Sequence, residues 1–320
     1  MTALAPRSCS TCNQSNMPAI ARITAFAKIT RLAPCRPRTM ATATTTSNKP
    51  DWSPEKYLRF EAPRGRPISD LISFLSRSGV SQPQRIIDLG CGPGNSTIAL
   101  KKQWPSAQIT GVELSPAMVA SAKQKNGGQG INYQAGDVKD YIAPPETDLV
   151  FSNAVFHWLR SDERIPTIVQ HLRRLKPGGV LAFQVPDNFA EPSHRLMRDT
   201  AYEYPGPWAE YFTEDGEKPE LDPIESAGTW YNSLKPHCES VEVWHTTYHH
   251  ILEGHEAIVK WFETTGLKPY LDLLEEDEAA KKAFVEQYTR GLEREYPTLA
   301  DGKVVLHFPR LFVVGFRGQD

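Results

Sequence analysis

An open α/β sheet domain is the fold this chain predicts, and three observations carry that expectation. The run Arg85-Ile86-Ile87-Asp88-Leu89-Gly90-Cys91-Gly92-Pro93-Gly94 reads as a buried β-strand that turns sharply through glycines toward residues able to open a helix. Four further strand-like runs follow it in order. Near the end of the chain stand two more, separated by a stretch of helical character.

Each element has its own residues. The loop after the first strand holds Gly90, Gly92 and Gly94, which remove the β-carbons where a ligand would lie against the backbone. Gln108-Ile109-Thr110-Gly111-Val112-Glu113 reads as the second strand and ends in an acid 25 positions after Asp88. A third short strand, around Ile131 to Gln134, runs into Ala135-Gly136-Asp137. Thr147-Asp148-Leu149-Val150-Phe151-Ser152-Asn153-Ala154 is the fourth, and Leu175-Lys176-Pro177-Gly178-Gly179-Val180-Leu181 carries a helix-to-strand turn into the fifth. Ser240-Val241-Glu242-Val243-Trp244-His245-Thr246-Thr247-Tyr248 alternates like a half-buried strand, and Lys303 to Phe316 forms the last.

A nucleotide-type cofactor belongs on such a loop, at the strand ends where open α/β sheets bind ligands. A dinucleotide site wants G-x-G-x-x-G, with the pyrophosphate on a helix N-terminus. Here the third glycine comes one residue early, Asn95 sits where it would have been, and Pro93 stiffens the turn. Asp88 would repel a pyrophosphate but suits a cation facing the crevice. S-Adenosyl-L-methionine, with its ammonium and sulfonium, is such a ligand. Glu113 can accept both ribose hydroxyls, a role that dinucleotide enzymes share.

These elements, in this order across Arg85 to Val185, resemble the cofactor motifs of S-adenosylmethionine-dependent methyltransferases of the Rossmann-like class I fold. The resemblance implies a seven-stranded, mostly parallel sheet with an antiparallel last strand, the final two strands pairing as an edge hairpin. It also implies cofactor contacts from Tyr57, Asp88, Gly90, Gly92, Gly94, Glu113, Asp137 and Asn153. Asp137 would take the adenine amino group, and the strand end at Asn153 would lie beside the methionine part.

A narrower likeness covers about Trp52 to Phe316. Trp52-Ser53-Pro54-Glu55-Lys56-Tyr57, Gln184-Val185-Pro186-Asp187-Asn188 with Glu191-Pro192-Ser193-His194, Val243-Trp244-His245-Thr246-Thr247-Tyr248 and Asp301-Gly302-Lys303-Val304 with Phe308-Pro309-Arg310 are similar to the trans-aconitate methyltransferase family. That likeness implies methyl transfer to one carboxylate of a small polycarboxylic acid, trans-aconitate, giving a monomethyl ester. It places a cofactor core at about 84–186 within a single domain, 51–320. Acceptor-side inserts at about 187–236 and 254–300 would form a lid and pocket. Other small acids (isopropylmalate, a fatty or terpenoid acid) stand as alternative acceptors, and a non-catalytic cofactor-binding assembly factor as an alternative class.

Carboxyl methylation needs no obvious base. A carboxylate has a pKa near ~4 and reaches the site already nucleophilic. The work is then positioning, exclusion of water and cationic anchoring of the other carboxylates, for which arginine is best shaped. Acceptor-side candidates are His157 and Trp158 after the fourth strand, His194 in the first insert, and Arg310 on the last strand. Plainer readings stand beside them: a helix cap for His157, pocket wall or core for Trp158, and a lid carboxylate as partner for Arg310, while His245, His249 and His250 read as ordinary surface or core histidines. Arg59, Arg64 and Arg66 offer further cations or a solvated basic face. The run Glu275-Glu276-Asp277-Glu278 reads as a helix start.

Composition bounds the rest. The 320 residues carry a net charge of −2, which gives no basic field for nucleic acid. No apolar run approaches the roughly 20 residues that span a bilayer. The five cysteines form no disulfide framework and suit a reducing compartment, and Cys9-x-x-Cys12 lacks the partners of a metal site, so no metal is expected. Oligomeric state is not encoded in any motif. Residues 1–50 hold seven Lys or Arg and no Asp or Glu, the composition of a disordered extension and of a mitochondrial transit peptide. Against targeting, Ile20, Ile23, Phe26, Ile29 and Leu32 recur every three residues and segregate poorly from the cations, and Met40 offers an alternative start for a cytosolic form. Cytoplasmic and mitochondrial placement both stand. Deletion of residues 1–50 should leave turnover and melting temperature unchanged, and loss of either would make the extension part of the enzyme.

Overall fold

The computed structural model describes residues 61–320 except 214, 215, 217 and 320, with side chains from residue 65 onward. The expectations for residues 1–50, for Trp52–Tyr57 and for Arg59 and the Arg64 side chain therefore lie outside the described residues. Among the described residues seven strands form one sheet in the order β3-β2-β1-β4-β5-β7-β6. They are β1 (Arg85–Leu89), β2 (Gln108–Glu113), β3 (Ile131–Ala135), β4 (Leu149–Asn153), β5 (Val180–Pro186), β6 (Cys238–Leu252) and β7 (Val304–Arg317). β1 to β5 run parallel, and β7 is antiparallel to both β5 and β6.

The sheet is covered on both faces, which is why its central strands read as continuous apolar runs rather than alternating ones. Ile86, Phe151, Ala182 and Phe312 join one buried cluster with helix α1 (Glu61–Arg77). Ile87, Val150, Leu181 and Val313 join the other, with α4 (Ser161–Arg174) supplying Ile168 and Leu172. Helices α2 (Asn95–Gln103) and α3 (Pro116–Asn126) connect the first three strands. Strand order reverses between β1 and β4, so the ligand crevice opens beyond their carboxyl ends.

The two inserts pack on each other. The first holds α5 (Pro192–Tyr202) and α6 (Ala227–Leu234); the second holds α7 (His255–Phe262), α8 (Lys268–Leu273) and α9 (Glu278–Glu295). A Cβ on Gly291 of α9 would come within 2.7 Å of Leu196, so glycine lets α5 and α9 approach. Tyr288 Oη donates to Ser193 O at 3.0 Å, and Ser193 N donates to Tyr296 Oη at 3.0 Å. Asp277 caps α9, accepting from Ala280 N at 2.9 Å, as the acidic run there predicts. Strand β6 is longer than expected at both ends, because β7 runs beside it as far as the Leu252–Val304 pair. None of the described helices is long and apolar enough to cross a membrane.

A buried cation ties the first insert to the sheet. Arg164 on α4 is 0 % exposed and donates Nε to Phe156 O, Nη2 to Leu159 O, and Nη1 to Pro223 O. Its Nη1 also meets both carboxylate oxygens of Glu225 at 2.8 Å. Beside it, Arg160 reaches Glu220 O and Asp222, and Asp222 Oδ2 accepts from Ser161 N at 2.7 Å. Removing one partner of such a pair leaves the other charged and buried. Arg164→Met should lower unfolding free energy by about 3–5 kcal/mol in urea titrations, and the double variant with Glu225→Gln should recover part of it. A loss below about 1 kcal/mol would show that the clamp carries little weight.

Candidate active site

The loop after β1 is shaped by backbone angles that favour glycine: φ is +67° at Gly90, +53° at Gly92 and +97° at Gly94. The three glycines do different jobs. A Cβ at Gly90 would lie 2.2 Å from Val155, and one at Gly94 would lie 2.4 Å from Asn126 Nδ2 and 2.7 Å from Tyr133 Oη. At Gly92 a Cβ would meet nothing within 4 Å. The expectation that all three clear space for a ligand is thus corrected: Gly90 and Gly94 admit neighbouring protein, and Gly92 alone of the three borders open space.

Asp88 also sits differently from the sequence expectation. It is 0 % exposed, closed in by the start of α2, and its Oδ2 accepts from Ser96 Oγ at 2.7 Å and Thr97 Oγ1 at 2.6 Å. Burial, outweighing these hydroxyls, raises its pKa to about 7. Its other oxygen, Oδ1, has no hydrogen-bond partner among the described residues. The carboxylate braces the loop from beneath, with one acceptor left over, instead of standing open in the crevice.

Glu113, half-buried at the end of β2, accepts from Gly92 N through Oε2 and from Ser115 N through Oε1, both at 3.0 Å. It joins the glycine loop to the start of α3, where Ser115 Oγ caps Met118 N. Asp137, also half-buried, accepts from Lys139 N at 2.9 Å. Each carboxylate keeps lone pairs for further donors. Asn153 ends β4, and Ala154 after it holds φ +58°, an unusual conformation for a residue with a side chain. Asn153 Oδ1 accepts from buried Gln184 on β5, and Gln184 Oε1 accepts from Arg310 Nη1 on β7 at 3.1 Å. A polar chain therefore crosses from β7 through β5 to the end of β4.

The acceptor-side candidates divide into two groups. His157 and Trp158 stand on a single 3-10 turn, Phe156–Trp158, with ring centroids 4.9 Å apart. His194 lies on α5, its ring edge-on to Phe262 at 4.8 Å. His157 and His194 line one small cavity with Asn188, Arg198, Asp222 and Tyr270. Trp158 and Arg310 do not line it. Arg310 is 5 % exposed and stacks over Phe308 at 4.7 Å. Arg66 is largely exposed and reaches Asp70 at 4.0 Å, so it lies on a solvated face.

The two cavity histidines are held neutral. Burial lowers the His157 pKa well below 6.5, and Arg310, Arg164 and His194 reinforce this. Burial, then Arg198, pushes His194 down to about 3. His157 Nδ1 has no hydrogen-bond partner among the described residues, and His194 Nδ1 meets only Ser193 Oγ at 3.2 Å. Neither is oriented by a carboxylate in the way a general base normally is. Arg198, Tyr270 and Gln184 were missed from the sequence. Arg198 left one signal there: it follows His194 by four residues, and α5 puts both on one face. Among the described residues no group of three or more His, Cys, Asp or Glu side chains is placed to hold a metal ion.

Comparison with known proteins agrees with this architecture. Residues 86–179 match the family model described as a methyltransferase domain. The trans-aconitate 2-methyltransferase of Rhodopseudomonas palustris strain BisB18 is 42% identical over 271 residues, covering 83% of this chain and 99% of that protein. That of strain BisA53 is 43% identical over 268 residues, covering 82% and 98%. The protein of the same name from Azoarcus sp. strain BH72 is 40% identical over 268 residues, covering 84% and 100%. Identity at this level extends over most of the chain and nearly the whole length of these relatives, and the chain belongs to the trans-aconitate 2-methyltransferase family.

Proposed function

We propose that this protein transfers the methyl group of S-adenosyl-L-methionine to one carboxylate of trans-aconitate. The observation that carries this reading is the pair of neutral histidines at a cavity beyond the β4 and β5 ends, in a member of this family. Imidazoles kept uncharged by burial are poor proton acceptors at neutral pH, so the acceptor that suits them arrives ionised.

The residues present fit the cofactor. Gly92 leaves backbone bordering open space, Glu113 retains lone pairs for ribose hydroxyls, and Asp137 can accept from an adenine amino group, while buried Asp88 supports the loop from beneath. When bound, the cofactor supplies an electrophilic methyl on a sulfonium. The protein's own part is positional. His157 and Asn188 stand where an acceptor oxygen is to be oriented, and the packed inserts exclude water from it. Attack by the carboxylate oxygen forms the new C–O bond as the C–S bond breaks, and no proton moves.

Glu113→Ala should weaken cofactor binding roughly ten- to hundredfold by calorimetry, the worth of one or two hydrogen bonds to a charged group. Unchanged affinity in a folded variant would remove Glu113 from the site.

Turnover should rise with the ionisation of the acceptor and level off by about pH 6–7, without an inflection at the histidine reference value. Stability has its own sign. Both folded histidine pKa values lie below 6.5, so the unfolded chain binds more protons between about 6.5 and 3. Their contribution is complete above about pH 6.5 and is lost as the pH falls through that window, so rates at low pH need brief assays. A turnover profile that follows a group titrating near 6.5, or methylation of a neutral phenol in place of trans-aconitate, would overturn the carboxylate reading.

A further inference from the structure

Arg198 is a cation that the chemistry above does not use. It stands one helical turn beyond His194 on α5, and both line the cavity. Its Nη1 donates to His194 O at 3.2 Å, its Nη2 donates to Phe189 O at 2.8 Å, and the guanidinium lies 3.7 Å from the centre of the Phe189 ring. These contacts fix the plane of the group and neutralise none of its charge. Of its five N–H donors, the two carbonyls engage two.

Neighbouring arginines are committed elsewhere. Arg195 holds Asp199 and Glu295, Arg160 holds Asp222, and Arg164 holds Glu225. Among the described residues no carboxylate lies within ion-pair distance of Arg198. Burial acts against its charge, while Glu220, Asp199 and Tyr270 favour it. Glu220, which also lines the cavity, is engaged by Tyr202 Oη at 2.9 Å. A stacked guanidinium with spare donors facing a cavity is built to grip an anion bidentately. A hydrocarbon acid would instead leave those donors against apolar surface.

We propose that Arg198 is the specificity-determining anchor of the acceptor site, gripping a carboxylate other than the one being methylated. This rests on the reading of the chain as a carboxyl methyltransferase. Small acids with a second carboxylate are accepted, and otherwise similar monoacids are bound weakly. Glu220 opposes this grip by like charge, so its neutralisation strengthens acceptor binding.

The test uses the full chain with S-adenosyl-L-methionine and two acceptors: trans-aconitate, and its diester with one free carboxylate. In Arg198→Met the KM for trans-aconitate should rise roughly 10- to 100-fold, with kcat and cofactor affinity within about twofold. The KM for the diester should stay within about twofold, Arg198→Lys should fall between, and Glu220→Gln should lower the KM for trans-aconitate severalfold. Melting temperatures establish that each variant is folded. If the unmodified protein esterifies neither acid, carboxyl methylation itself fails. If it esterifies trans-aconitate while Arg198→Met leaves that KM unchanged, or raises both KM values alike, the anchor is overturned and the reaction stands.

Discussion

The acceptor side of this molecule depends on the guanidinium of Arg164, which has no contact with solvent. A guanidinium cannot shed its charge, so every donor must find an acceptor inside the protein. The acceptors come from two places far apart in sequence: the turn that carries His157, and the segment ending in Pro223 and Glu225. Moving either would strand a buried cation. The position of the His157 imidazole is therefore set by an electrostatic requirement one residue layer away from it.

The cofactor and acceptor sides are built from different materials. On the cofactor side the chain offers backbone: a loop in left-handed angles, two amides held by Glu113, and a carboxylate sealed beneath by two hydroxyls. Such a surface is stiff and has little side-chain entropy to lose on binding. On the acceptor side it offers side chains, His157 from the turn after β4 and His194, Arg198 and Tyr270 from the two inserts. No residue of the loop after β1 lines this cavity.

Much of the cofactor side was legible in the sequence because its causes are local. Strands buried on both faces appear as apolar runs, and left-handed turns appear as glycines. What was not legible depends on residues brought together by the fold. Gly90 and Gly94 are closed by Val155, Tyr133 and Asn126, none of which is near them in sequence. The burial of Asp88 depends on how α2 seats Ser96 and Thr97 over it. Arg310 was placed on the correct strand, but its bond to Gln184 requires the β5–β7 register, in which Arg310 faces Pro186. Arg198 announced itself only through its spacing from His194.

The chain from Arg310 through Gln184 to Asn153 links the last strand to the end of β4. β7 enters the sheet after the second insert, whereas Asn153 ends a strand of the cofactor core. Gln184 is fully buried and uses its amide in both directions, accepting from the arginine and donating to the asparagine. That direction of bonding follows from the arginine, because a guanidinium can only donate. The amide must turn its oxygen to Arg310 and its nitrogen to Asn153, and this commits the Asn153 side-chain oxygen as an acceptor. Ala154, held at φ +58° with its N–H on Gln184 O, keeps that strand end from relaxing away. The last strand and the end of β4 are thus joined by a directional hydrogen-bond path whose polarity originates in a buried positive charge.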